Sequence, residues 1–144
     1  MPRRACHRTQ DGAMPDAIIE TAQWIARGAL ALVFVSMGVL HFLPGPGRTM
    51  ARLIPPRLRG TGLLSPRALV VFTGLCEIAG GIGMLVPATR GAAAVGLVVF
   101  LIAVFPANAY AAEHPDRFGA IAIPFWRRYF AQLALILVVV LAAL

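Results

Sequence analysis

Four long apolar stretches, separated by short segments rich in proline and arginine, set the pattern of this chain. The first runs from Trp24 to Leu43 and is interrupted only by Arg27. The second, Ala68–Pro87, carries one acid, Glu77, near its middle. The third is Gly91–Tyr110. The fourth, Tyr129–Leu144, is short, and it reaches a full span if Pro124, Phe125 and Trp126 begin it or if it tilts little. A helix crossing a hydrocarbon layer about 30 Å thick takes about 20 apolar residues. The pattern therefore predicts an all-α fold: a four-transmembrane-helix antiparallel bundle with a surface-lying loop segment between helices 1 and 2.

Residues 1–20 are expected to be a flexible N-terminal tail, with a second Met at position 14, and residues 21–144 a single transmembrane domain. The first apolar run is too long for a signal peptide and no A-x-A site follows it, so it reads as an anchor. No soluble domain is expected after the fourth run. Turn signals fall at "PGPG" (Pro44–Gly47), "IPP" (Ile54–Pro56), Pro87 and Pro115. The stretch "ARLIPPRLRG" over 51–60 mixes leucine and isoleucine with three arginines and is expected to lie on the membrane surface.

Composition sharpens this. The chain is 59% hydrophobic and 13% charged, with a mean hydropathy of +0.79, whereas a soluble domain is nearer a quarter charged. All thirteen basic residues are arginine, against six acids. They flank apolar runs instead of forming one polar surface with interleaved aromatics, which argues against nucleic acid as a partner. The lipid bilayer is the expected partner, with anionic lipid at the arginine-rich loops. The two loops on one side carry Arg48, Arg52, Arg57, Arg59, Arg67, Arg117, Arg127 and Arg128; the other side carries Arg3, Arg4, Arg8, Arg27 and Arg90. The positive-inside rule then places both termini outside. Cys6 and Cys76 form no C-x-x-C, and no disulfide is expected between them.

Polar side chains inside a span must face protein or water. On the second span Glu77 shares a face with Gly74, Gly80 and Gly81, where another helix can approach closely. On the first, Arg27, Ala31, Phe34, Gly38 and His41 follow steps of four and three. The third ends in "AVFPANAY", where Pro106 loosens the ladder before Asn108, and the fourth opens with "PFWRRYFAQ", ending on Gln132. With alternating helix directions, His41, Asn108 and Gln132 fall near the membrane face of the basic loops, and Glu77 lies roughly 14 Å below it. His41, Glu77, Asn108 and Gln132 are therefore the candidate polar cluster or ligand site. Each also has a structural reading: Glu77 hydrogen-bonded across helices, His41 capping a helix C-terminus, Asn108 and Gln132 bridging helices. Arg27 and Arg90, near the opposite face, are secondary candidates that read first as arginines snorkelling to the interface. Trp24, Trp126, Tyr129 and Phe130 read as interface aromatics. No H-E-x-x-H, phosphate loop or nucleophile elbow is present, and neither a metal site nor a catalytic residue set is expected.

The segments "MGVLHFLPG", "IPPRL", "FTGLCEIAGGIGMLVPATRGAA" and "VFPAN", in this order over roughly residues 22–135, resemble the DoxX-like family of small bacterial membrane proteins. The resemblance implies four transmembrane helices, a multi-pass protein of the bacterial inner membrane, and motif positions at His41, Glu77, Arg90 and Asn108. That family takes its name from a subunit linked to thiosulfate–quinone oxidoreduction, and some relatives are tied to redox or oxidative-stress complexes. The fold implied also resembles the four-helix bundle of vitamin K epoxide reductase, whose paired cysteines are missing here. The leading expectation is a membrane subunit of a redox or quinone-linked assembly, with quinone as candidate ligand, redox-complex subunits as partners and no stand-alone enzyme activity. The alternatives are a non-catalytic interaction or scaffold protein, homo-oligomeric or with other partners, and a proton-coupled transporter of small molecules.

Overall fold

The computed structural model describes residues 13–144. Cys6, His7, Arg3, Arg4 and Arg8 lie outside the described residues, as does most of the expected tail. Among the described residues every regular element is helical. Four helices are long and apolar enough to cross a membrane, which makes the chain, by length and composition, a multi-pass membrane protein.

Helix α1 spans Ala13–Phe42. Residues 13–20, expected in the flexible tail, instead form its opening turns. Pro15 sits in the first turn, where its missing N–H costs nothing, and Asp16 there complements the positive end of the helix dipole. No glycine interrupts the chain between there and Gly28. At thirty residues α1 is about 45 Å long, more than a hydrocarbon layer requires.

Helix α2, Pro44–Leu53, begins on the "PGPG" that reads as a turn. Leu43 is extended and precedes Pro44, as the residue before a proline tends to be, and Pro44 then occupies the first helical position. Its first turn is formed by Gly47 N–H donating to the Leu43 carbonyl at 2.9 Å. It stops where expected, at Ile54 before the Pro55–Pro56 pair. None of its residues is buried. Two short 3-10 turns, Pro56–Leu58 and Gly62–Leu64, lead on, and Arg59 stitches the segment by donating to the carbonyls of Ile54 (2.9 Å) and Arg52 (3.2 Å).

Helix α3, Pro66–Leu85, is capped by the Ser65 hydroxyl, which accepts from Ala68 N–H, and it ends at the extended Val86 before Pro87. Helix α4, Arg90–Glu113, carries Pro106 inside it. A one-turn helix α5, Pro115–Phe118, and a 3-10 turn, Gly119–Ile121, precede helix α6, Phe125–Ala143. Phe125 and Trp126 do begin α6, so the short fourth run reaches nineteen residues. The Trp126 ring packs edge-on with Tyr129 while Phe125 stacks on it, and Phe105 of α4 meets Phe125 at 5.6 Å and Tyr129 at 5.9 Å.

The buried core joins all four long helices: Leu30 and Phe34 from α1, Met84 from α3, Ala94, Leu97 and Leu101 from α4, Val139 and Ala142 from α6. The tightest seam lies between α1 and α3. A Cβ placed on Gly38 would sit 2.7 Å from the Gly74 carbonyl oxygen, and one on Gly74 would sit 2.8 Å from His41 Cβ. Both positions therefore require glycine for the backbones to meet. Large apolar side chains such as Leu32, Phe72 and Val95 face outward and are mostly exposed, the arrangement expected of surfaces solvated by lipid.

Candidate functional site

Glu77 is buried at 8% exposure on α3, between Gly74 and Gly81. Both glycines turn toward α1, while Gly80 faces Leu97 of α4, so the glycine stripe read from the sequence serves two neighbours. The absence of a side chain at Gly74 lets His41, in the last turn of α1, reach across. His41 Nδ1 lies 3.2 Å from Glu77 Oε2. It also lies 2.8 Å from the Met37 carbonyl oxygen, one turn back. A carbonyl only accepts, so Nδ1 carries the hydrogen and directs it at Met37. Glu77 Oε2 is thus a close electrostatic neighbour of the imidazole and yet has no hydrogen-bond partner. The distance puts the two groups in ion-pairing range when the ring is protonated, but the Nδ1 hydrogen is turned to Met37. The other ring nitrogen, Nε2, makes no hydrogen bond among the described residues.

The two amides form a second pair, between α4 and α6. Asn108 Nδ2 is 3.5 Å from Gln132 Oε1, and Gln132 Nε2 donates to the Leu101 carbonyl at 3.0 Å. Leu101 is the residue before Ile102, whose carbonyl Pro106 leaves without an i→i−4 donor. Gln132 thereby braces the backbone beside the loosened carbonyl and does not replace the missing bond itself. The four candidates are brought together two by two: no hydrogen bond among the described residues joins the amide pair to His41 or Glu77.

The secondary candidates meet at the other end of α1's buried stripe. Arg27 does not snorkel. It is 3% exposed, its Nε donates to the Ala142 carbonyl at the end of α6 (2.6 Å), and its Nη2 donates to Gln23 Oε1 (3.0 Å). The last carbonyls of a helix lack internal partners, and a buried cation there is well placed. The Arg27 guanidinium lies 5.1 Å from the Trp24 ring centre, and that of Arg90, the first residue of α4, lies 5.4 Å from the same ring. Sequence reasoning left out Gln23 and gave Trp24 only an interfacial role. The i, i+4 spacing of Gln23 and Arg27 was the available signal. Among the described residues no three His, Cys, Asp or Glu side chains gather as metal ligands, and Cys76 is a free, half-buried thiol.

Helices of spanning length, a glycine seam and polar side chains packed between the spans define the class: a multi-pass membrane protein, all-helical among the described residues. The chain belongs to the family described as a domain of unknown function, DUF8561, which matches residues 30–144. No curated protein and no solved structure matches it. The matched range takes in His41, Glu77, Arg90, Asn108 and Gln132, and begins after Trp24 and Arg27.

Proposed function

We propose that this chain is a DoxX-like membrane subunit of a redox, quinone-linked assembly, and that His41 and Glu77 form its ligand and proton site. The observation that carries this reading is the buried Glu77 carboxyl, 3.2 Å from His41 and without a hydrogen bond. With the Nδ1 hydrogen held on Met37, Nε2 of the neutral ring is an acceptor suited to a quinol hydroxyl. A proton taken at Nε2 makes an imidazolium, and a small rotation of the ring that turns its Nδ1–H from the Met37 carbonyl to Glu77 Oε2, 3.2 Å away, lets the carboxylate take that proton. Entry at one ring nitrogen and exit at the other is the ordinary logic of a histidine relay. The helices form an antiparallel bundle in the bacterial inner membrane with both termini outside. The segment between α1 and α3, bearing Arg48, Arg52, Arg57 and Arg59, rests on anionic lipid at the cytoplasmic surface.

The test is extraction of protein purified in mild detergent, followed by mass spectrometry of bound lipids and co-purifying proteins. Wild-type protein is expected to carry a lipid-soluble quinone, and Glu77→Gln and His41→Ala to lose it while keeping their thermal stability. A wild-type preparation free of quinone and of redox subunits would end this reading. A second reading, a non-catalytic interaction subunit or homo-oligomer, is favoured by α6, which buries only Val139 and Ala142 and leaves a broad apolar face open. Under that reading Glu77→Gln lowers yield and stability with no ligand to lose.

A further inference from the structure

We propose that Arg27, Arg90 and Trp24 build a binding site for a phosphate-type oxyanion, distinct from the His41–Glu77 pair. From Arg27 to His41 the helix rises about 21 Å, so the two places lie at different depths of the membrane.

The two guanidinium groups share one indole, at 5.1 and 5.4 Å from its centre. Cations brought together over a single ring, in surroundings poorer in water than the surface, repel unless an anion joins them. Among the described residues no carboxylate comes within 4.0 Å of either guanidinium, and Glu20 acts on Arg27 only from beyond that distance. The one contact within 4.0 Å between a cationic side chain and a carboxylate among the described residues is His41–Glu77. The Trp24 ring face stabilises the positive charge without cancelling it.

The donors that remain point to the ligand's shape. Arg27 is fixed by Ala142 and Gln23, so its guanidinium is held in place. Arg90 is half-buried, its guanidinium makes no hydrogen bond, and its Nε is shut off from solvent without a partner. Beside it the first turn of α4 has no side-chain cap, because the Thr89 hydroxyl donates to the carbonyls of Gly83 and Val86 instead. The N–H groups of Gly91 and Ala92 find no backbone acceptor before the helix, and the space beside Gly91 is open. Fork-shaped guanidinium donors and free amide donors at a helix start match an anion that offers three or more oxygens in tetrahedral directions. A carboxylate, with two oxygens in one plane, leaves donors unpaired. Arg90 opens a spanning helix and Trp24 is amphipathic, so the site falls at headgroup depth. The phosphate of an anionic lipid and a free phosphate ion both have this chemistry.

The experiment uses the full chain in mild detergent. Binding is read as the rise in midpoint unfolding temperature and by native mass spectrometry. One arm adds phosphatidylglycerol against phosphatidylcholine; the other adds sodium phosphate against sodium chloride at equal ionic strength. Wild-type protein is expected to bind in one arm: phosphatidylglycerol marks the lipid source, phosphate ion the soluble one. Arg90→Gln should weaken that binding by about tenfold or more, the loss of a charge-assisted pair of hydrogen bonds. Arg90→Lys, which keeps the charge and loses the fork, should fall between. Arg52→Gln, on the basic segment of α2, should leave phosphate binding unchanged and lose a smaller share of phosphatidylglycerol binding than Arg90→Gln, which separates the site from general attraction to basic loops. If Arg27→Gln does not fold, the Arg90 variants decide. No binding in either arm, or equal loss from Arg90→Gln and Arg52→Gln, would overturn the proposal.

Discussion

At one end of α1's buried stripe, His41 faces a carboxylate; at the other, Arg27 faces a carbonyl, an amide and an indole. The first group has a charge neighbour without a matched hydrogen bond. The second has matched hydrogen bonds without a neighbouring anion. The difference follows from what surrounds each. Near His41 the backbones of α1 and α3 meet through Gly38 and Gly74, and the contact leaves room for little besides the two side chains themselves. Near Arg27 the end of α6 and the start of α4 come close, and helix ends bring unpaired backbone groups with them. Close helix packing therefore isolates a histidine–carboxylate pair, while converging helix ends gather donors. The first arrangement should resist change in shape and tolerate change in charge; the second should do the reverse.

Changes of shape at the seam give the largest expected effect. Gly38→Leu places a side chain against the Gly74 carbonyl and Ile78, where even a Cβ comes to 2.7 Å. The two helices must part, and a loss of about 3 kcal/mol is expected, at the upper end of overpacking. Gly28→Ala, on the same helix with nothing within 4 Å, should be neutral or stabilising by about 0.5–1 kcal/mol. Reversible unfolding of both variants in the same detergent tests the contrast. Equal effects at the two positions would mean that α1 and α3 do not meet through glycine.

Next comes the charge end. Arg27→Ala removes the donor to the Ala142 carbonyl and leaves it unpaired among buried apolar neighbours. A loss of about 2 kcal/mol is expected, in the range for hydrogen bonds to charged groups. Loosening should concentrate at the end of α6, so amide exchange at residues 139–143 should quicken while exchange around Gly74 stays slow. Uniform quickening through all helices would show that Arg27 does not act on α6.

Much of this was legible beforehand, for particular reasons. Prolines mark where α2 stops, where α3 starts and where α6 starts, because a proline fixes φ and restricts the residue before it. The same rule misleads at "PGPG", where both prolines fit inside a first helical turn. Helical spacing placed Glu77 on a glycine face and His41 on the facing stripe, and these two do meet. It could not separate His41–Glu77 from Asn108–Gln132, because depth in the membrane says nothing about which helices are neighbours. Arg27 was misread for another reason. Its main partner is the backbone carbonyl of Ala142, and a carbonyl carries no signature in sequence. An arginine near the end of a span looks the same whether it reaches water or a helix terminus.

The smallest effect expected is at the amide pair, and it bears on whether Gln132 is structural. Gln132 donates to Leu101 at 3.0 Å, while its contact with Asn108, at 3.5 Å, is at the outer limit of a hydrogen bond. Replacing Gln132 with Leu removes the donor and adds apolar surface that lipid or neighbouring helices accept. Hydrogen bonds between helices within membranes average about 0.6 kcal/mol, since the separated helices also find partners. Gln132→Leu should therefore cost about that much, and Asn108→Leu less, because Asn108 makes only the longer contact. The order of the two variants is the informative result. If Asn108→Leu is the more damaging, Asn108 holds something besides Gln132, and the amide pair joins the ligand site proposed for His41 and Glu77. If Gln132→Leu is the more damaging and quinone stays bound, the amides brace the Pro106 turn and the chemistry belongs to His41 and Glu77 alone.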